Sequence, residues 1–280
     1  IRATLTPGTT YKATLEADFA NAIVSLASVA DSPGAGISTG RVARSPFEAD
    51  STVITPYESG EYVIQVSTDS RETGAYTVSL EAISDDYPDN AASAGRLDLD
   101  TPLQATHEAA GDVDWFSFEA APGTAYHIQA FGAGSVSLGV FSASDSDGLF
   151  EEAPRFGNIG GLSSAAFTAK EGGTYIVQAR SVFADGVGDY TLSATRFDDD
   201  YPDTTQTGAT LIPGGSVAGA LEVSGDQDYV RMDLDANQTY RLTVEAAAGG
   251  HPGLRAITDQ ETDGFVADDQ IGFVPIGASG

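Results

Sequence analysis

Two acidic clusters recur along the chain at a fixed distance. "DDYPDN" at residues 85–90 carries Asp85, Asp86 and Asp89, and "GDVDWF" at 111–116 carries Asp112 and Asp114. The pair returns as "DDYPDT" at 199–204, with Asp199, Asp200 and Asp203, and as "GDQDYV" at 225–230, with Asp226 and Asp228. Asp86 to Asp112 and Asp200 to Asp226 are the same 26-residue step. Gathered carboxylates repel one another unless a cation sits among them. Calcium takes about six to eight oxygen ligands, largely carboxylates and backbone carbonyls. The spacing therefore predicts that each pair of clusters folds together around Ca2+, with Pro88 and Pro202 stiffening the backbone between the acids. Asp112 and Asp114 lie two apart at the start of an alternating run. They share a face with Phe116 and Phe118, which aims them at the edge of a core. The plainer alternative is a pair of polar turns, since Asp-Pro and Gly-Asp steps are common there.

Other chemistry is thinly supported. "GISTG" at 36–40 matches the pattern of a nucleophile elbow, but a helix should follow it and "RVARSPFEAD" has no helical period. His107, His127 and His251 lack metal-ligand spacing and read as surface or strand residues. The Gly-rich "GAGSVSLG" and "GNIGGL" lead into no helix that could hold phosphate. "DSDG" at 145–148 lacks the downstream Glu of an EF-hand loop and reads as a turn. "NQT" at 237–239 is a glycosylation sequon only in a host that modifies such sites. No catalytic residue is assigned, and the chain is expected not to be an enzyme.

The elements that must position the clusters emerge from an internal repeat. Tyr87 and Tyr201, Asp112 and Asp226, Tyr126 and Tyr240, and Tyr76 and Tyr190 are each 114 residues apart. Tyr62 matches Tyr175, and Tyr11 matches Tyr126, at nearly the same offset. Three repeats follow, at 1–84, 85–197 and 198–280. The first lacks the acidic N-terminal segment, the second is whole, and the third stops short of its last strands. In "GEYVIQV" and "GAYTVSL", Tyr62, Ile64 and Val66, and Tyr76, Val78 and Leu80, alternate with more polar residues, the period of half-buried antiparallel strands. Pro-Gly, Asp-Gly and Gly-Gly steps fall at hairpin distances. The expected fold is all-β: tandem antiparallel β-sandwich repeats of about 114 residues, jelly-roll-like. Tyr62, Tyr76, Tyr126, Tyr175, Tyr190 and Tyr240 are expected to point inward, and Trp115 and Tyr229 outward.

Composition bounds the partners. Among 280 residues, 41 are acidic and 13 basic, a formal net charge of −28. Phosphate backbones and anionic membranes require clustered Lys and Arg, so nucleic acid is not an expected partner. No apolar run approaches the roughly 20 residues of a membrane helix, and no membrane insertion is expected in this segment. The chain has no Cys, so a secreted version would need a clamp other than disulfides. It opens on Ile1 with no signal-peptide pattern, and is expected to be a processed product or part of a longer array.

The ordered series "DDYPDN…GDVDWFSF…PGTAYHIQAF…GGTYIVQA…GDYTLSA" resembles the bacterial pre-peptidase C-terminal (PPC) domain, which is similar to clostridial collagen-binding domains. The resemblance covers all of the second repeat and the available parts of the other two. It implies a non-catalytic, often calcium-bound sandwich appended to secreted peptidases or large calcium-dependent surface proteins. The function expected on these grounds is a calcium-stabilised structural spacer or adhesive stalk, extracellular or on a bacterial cell surface. The alternative is a polysaccharide- or protein-binding appendage of a secreted hydrolase. Partners would be neighbouring repeats of the same or another chain.

Overall fold

The computed structural model describes residues 1–18, 22–28, 38–40, 51–56, 59–68, 71, 73–87, 94–109, 111–132, 136–143, 157–159, 162–181, 187–202, 204 and 207–245. The described residues contain strands and turns and no helix. Asp89, Asp203, His251 and residues 145–148 lie outside them.

Repeat one forms β1 (Arg2–Leu5), β2 (Tyr11–Ala17), β3 (Ala22–Ser28), β4 (Ser38–Gly40), β5 (Ser51–Ile54), β6 (Gly60–Thr68) and β7 (Tyr76–Ala82). They make two sheets, β1-β6-β3-β4 and β5-β2-β7. Repeat two adds β8 (Gly95–Arg96), β9 (Leu103–His107), β10 (Val113–Ala120), β11 (Ala125–Gly132), β12 (Val136–Ser142), β13 (Gly157–Ile159), β14 (Leu162–Thr168), β15 (Gly173–Ser181) and β16 (Gly188–Phe197). Its sheets are β12-β15-β10-β8 and β13-β14-β11-β16-β9. The pairings β1–β6, β3–β6, β2–β5 and β2–β7 recur as β10–β15, β12–β15, β11–β14 and β11–β16, all antiparallel. The fold is all-β, a two-sheet β-sandwich built twice. One pairing departs from the antiparallel expectation: β8 runs parallel to β10, with Arg96 opposite Ser117.

Each sandwich closes on its own apolar cluster. Repeat two packs Phe116, Phe118, Tyr126, Ile128, Leu138, Phe167, Tyr175, Val177, Tyr190 and Leu192 between its sheets. Rings form a chain through it: Phe118 to Tyr126 at 5.2 Å, Tyr126 to Phe167 at 5.8 Å and Phe167 to Tyr175 at 5.5 Å. Offset and tilted pairs of this kind add to what burial alone contributes. Repeat one centres on Leu5, Ala13, Leu15, Val24, Tyr62 and Ile64. On the outer face Trp115 meets Phe141 edge-on at 5.6 Å.

Four of the six inward tyrosines are buried: Tyr62, Tyr126, Tyr175 and Tyr190. Tyr240 is half-buried. Tyr76 is 47% exposed, against expectation, and its counterpart explains why. Tyr190 on β16 lies under β9, whose His107 ring stacks on it at 4.5 Å. Among the described residues Tyr76 on β7 has no such neighbour, because β7 is the edge of its sheet. His107 and His127 take the strand half of their expectation: His107 ends β9 and His127 lies in β11, both buried.

Repeat three keeps the local devices without the sheets. Among its described residues there is one bridge, parallel, between Thr210 and Arg231, the counterparts of Arg96 and Ser117. The expected run of Val230, Met232 and Leu234 gains no ladder among the described residues. A hairpin lock is common to all three repeats. The backbone N–H of Thr6, Ala121 and Asp235 donates to the phenol oxygen of Tyr11, Tyr126 and Tyr240, at 3.2, 2.8 and 3.1 Å. The intervening turn needs a left-handed residue, which is Gly8, Gly123 or Asn237 with φ of 70, 69 and 61°. Asn is the side chain that replaces Gly there at least cost.

Candidate metal centre

The site of repeat two is assembled from three short pieces. Asp85 and Asp86 arrive on the segment leaving β7, Glu108 follows β9, and Asp114 is the second residue of β10. One carboxylate oxygen from each of Asp85, Asp86, Glu108 and Asp114 lies within 4.8 Å of all the others. Repeat three gathers Asp199, Asp200, Glu222 and Asp228 in the same way. Every member has its counterpart 114 residues away.

Backbone donors set Asp85, Asp86 and Asp112 in place, with the same pattern at Asp199, Asp200 and Asp226. Asp85 Oδ1 accepts the Tyr87 N–H at 2.9 Å, and Asp199 Oδ1 accepts that of Tyr201 at 2.9 Å. Asp86 Oδ2 accepts from Thr106 at 2.9 Å, and Asp200 Oδ2 from Ala220 at 3.1 Å. Asp112 and Asp226, expected as ligands, hold the loop. Asp112 takes the N–H of Glu108 on Oδ2 and its neighbour Val113 on Oδ1, both at 2.9 Å. Asp226 takes those of Glu222 and Gln227 at 2.8 and 2.9 Å. Both of their oxygens are engaged, which is why the groups of four form without them. The turn entering each aspartate, closed by Asp112 N–H on Ala109 O at 3.1 Å and Asp226 N–H on Val223 O at 3.3 Å, requires positive φ at its third residue. Gly111 and Gly225 supply it at 84 and 98°, the type II requirement.

Asp114 is wholly buried. Its Oδ2 accepts the Tyr190 hydroxyl and lies 3.9 Å from His107 Nε2. That nitrogen also sits 3.1 Å from the Ala179 carbonyl. A carbonyl only accepts, so Nε2 carries the proton and turns it toward Ala179. Asp114 Oδ1 has no partner, and the same holds for Glu108 Oε2 and Asp228 Oδ1. Buried carboxylate oxygens without donors are costly.

The acids answer that cost by holding protons. Burial first, then the charges of Asp85 and Asp112, pushes Asp86 up to about 6. Burial and the hydrogen-bonded Asp112 carboxyl push Glu108 up to about 8. Burial and the nearby Asp112 charge push Asp114 up to about 10, and the same burial raises Tyr190. In repeat three, Asp228 rises to about 6, by burial and the charges of Asp200 and Asp226.

No family model matches the chain, and no curated protein matches it. Two solved structures are similar to parts of it. One is a pre-peptidase C-terminal domain of collagenase from Bacillus anthracis, 23% identical with a TM-score of 0.31, covering 36% of this chain and 93% of that one. The other is PliG from Aeromonas hydrophila, a periplasmic lysozyme inhibitor of g-type lysozyme, 16% identical with a TM-score of 0.31, covering 37% of this chain and 96% of that one.

The donor set suits a hard divalent cation. All the oxygens come from carboxylates, with no sulfur or imidazole among the four, which favours calcium or magnesium over zinc. Glu108 and Glu222 are the members that sequence reasoning missed. Each stands four residues before its loop aspartate, in "HEAAGD" and "LEVSGD", and the 114-residue offset would have flagged the pair.

Proposed function

We propose that these repeats are calcium-stabilised, non-catalytic β-sandwich modules that serve as a structural spacer or adhesive stalk in a secreted or cell-surface bacterial protein. The observation that carries the reading is the duplicated group of four carboxylates with buried oxygens that lack donors. Asp85, Asp86, Glu108 and Asp114 would hold one ion, and Asp199, Asp200, Glu222 and Asp228 a second. Asp112 and Asp226 would shape the loops behind them. A bound cation supplies the positive charge that lets all four acids ionise together. The net charge of −28 and the absence of disulfides suit a module clamped by ions in calcium-rich surroundings.

Calorimetric titration of the chelated chain tests this directly. Extracellular modules typically bind calcium with Kd of about 10⁻⁴–10⁻³ M. At calcium ten times above Kd the stabilisation is about 1.4 kcal/mol per site, which raises Tm by a few degrees. Magnesium should substitute poorly, because it demands a tighter octahedral shell. A titration with no calcium heat and no Tm shift would return the clusters to acidic turns.

A further inference from the structure

The acidic groups do not belong to one repeat alone. Asp85 Oδ2 accepts the hydroxyl of Thr10, a buried residue of repeat one at the mouth of β2. Thr10 Oγ1 is also 2.7 Å from Thr55 Oγ1, just past β5. With Asp85 ionised, the single Thr10 proton goes to the carboxylate, and Thr55 must donate to Thr10. One junction later the geometry returns with one residue fewer. The counterpart of Thr10 is Ala125, which has no hydroxyl, and Thr168, the counterpart of Thr55, reaches Asp199 Oδ2 itself at 3.3 Å. A second contact crosses the same boundary, from Ser164 Oγ on β14 to the carbonyl of Ser224 at 3.0 Å, beside the loop held by Asp226. Two boundaries with different residues thus reach the same solution: a buried threonine of the preceding sandwich fixes the first aspartate of the following group.

We infer that each carboxylate group is a lock between consecutive repeats, in which Thr10 or Thr168 of the preceding sandwich orients the first acid and cation binding stiffens the joint. This rests on the cation reading above. Coupling of this kind is reciprocal: whatever docking adds to cation affinity, the cation adds to docking. Asp85 is held at both oxygens, by Thr10 and by the Tyr87 N–H, so losing the threonine frees it to swing out of the group. Thr10 and Thr168 are positioning residues and need not touch the ion.

The test uses the full chain, whose lack of cysteine permits clean spin-label pairs. Labels at Thr77→Cys and Glu119→Cys report the first joint, while calorimetry reports affinity. Calcium is expected to narrow the label distance distribution in the parent. Thr10→Val should leave it broad and weaken one of two calcium sites about tenfold, the size of one hydrogen bond to a charged group. Thr10→Ser should restore both readouts, which separates the hydroxyl from packing. Thr168→Val should weaken the other site and spare this joint. Calcium binding with full affinity and equal narrowing in Thr10→Val would overturn the lock while leaving the metal sites intact. Absence of calcium binding by the parent would overturn both.

Discussion

At the scale of single residues, the chain places charged groups where water is excluded and leaves three of their oxygens without donors. The consequence for pH has a definite sign. Asp86, Glu108 and Asp114 all hold protons more tightly folded than unfolded, with values of about 6, 8 and 10. Their contribution to the stability of the ion-free protein is complete below the ordinary carboxylate range. It is lost as pH rises through those three values. Calcium must displace the same protons, so its affinity runs the opposite way and climbs between pH 6 and 8, by about tenfold per pH unit for each proton released. Titrations in two buffers of different ionisation heat would count those protons, and a proton count of zero would contradict the buried cluster. Asp114→Asn isolates the conflict in one side chain. The amide can still accept the Tyr190 hydroxyl, so the variant should melt higher than the parent in chelator and lower in excess calcium. The same ordering in both conditions would show that Asp114 is purely structural.

Elements bring these residues together through strand pairing, and here sequence and structure can be weighed against each other. The alternation of "YHIQA" and "YIVQA" made the strands legible, and the 114-residue offset made their recurrence legible. Neither could reveal that β9 lies alongside the strand of Tyr190 while no described strand lies on the open side of β7 beside Tyr76, because burial on a sheet depends on which strand lies alongside. The site divides along the same line. That Asp85, Asp86 and Asp114 gather could be read from their spacing, whereas the place of Glu108 beside them and the backbone N–H groups that Asp112 accepts depend on the turn at Gly111, which spacing does not reveal. Core positions yield the firmest predictions. Tyr126 touches Phe118 and Phe167 and accepts the N–H of Ala121. Tyr126→Ala should cost about 3–5 kcal/mol, and Tyr126→Phe about 1 kcal/mol for the hydrogen bond. Gly132 lies where β11 meets β16, and an added Cβ there would stand 2.5 Å from Tyr190 Cβ and 2.8 Å from the Asp189 carbonyl. Gly132→Ala should therefore destabilise by about 1–3 kcal/mol. Gly60→Ala, whose Cβ meets nothing within 4 Å, should stay within about 0.5 kcal/mol of the parent. Denaturant midpoints at constant slope would check all four, and equal losses at the two glycines would refute the packing of β11 on β16.

Across the whole molecule, a charge of −28 raises the question of whether calcium acts at its sites or merely dilutes a general repulsion. The two effects scale differently. Repulsion among exposed acids is long-ranged and is screened over a Debye length of about 10 Å at 0.1 M salt. Sodium chloride alone should therefore raise the Tm of the chelated chain steadily as it is added. Two calcium ions bring four positive charges against a formal −28, fewer in net terms once the displaced protons are subtracted. Yet they act at contact distance on groups that include the buried Asp114 and the half-buried Asp85, Glu108, Asp199 and Asp228, which bulk salt screens poorly. The expected result is that high sodium chloride recovers only part of the stabilisation that millimolar calcium provides. Calcium should also keep most of its effect when added on top of salt. Asp85→Asn with Asp199→Asn should abolish that residual effect while leaving the salt response in place, since each substitution removes one charge but disables a group of four. Differential scanning calorimetry across salt, with and without chelator, makes the comparison. Complete recovery by sodium chloride would mean that the acidic clusters act through net charge alone, and the duplicated geometry would then have no role in stability.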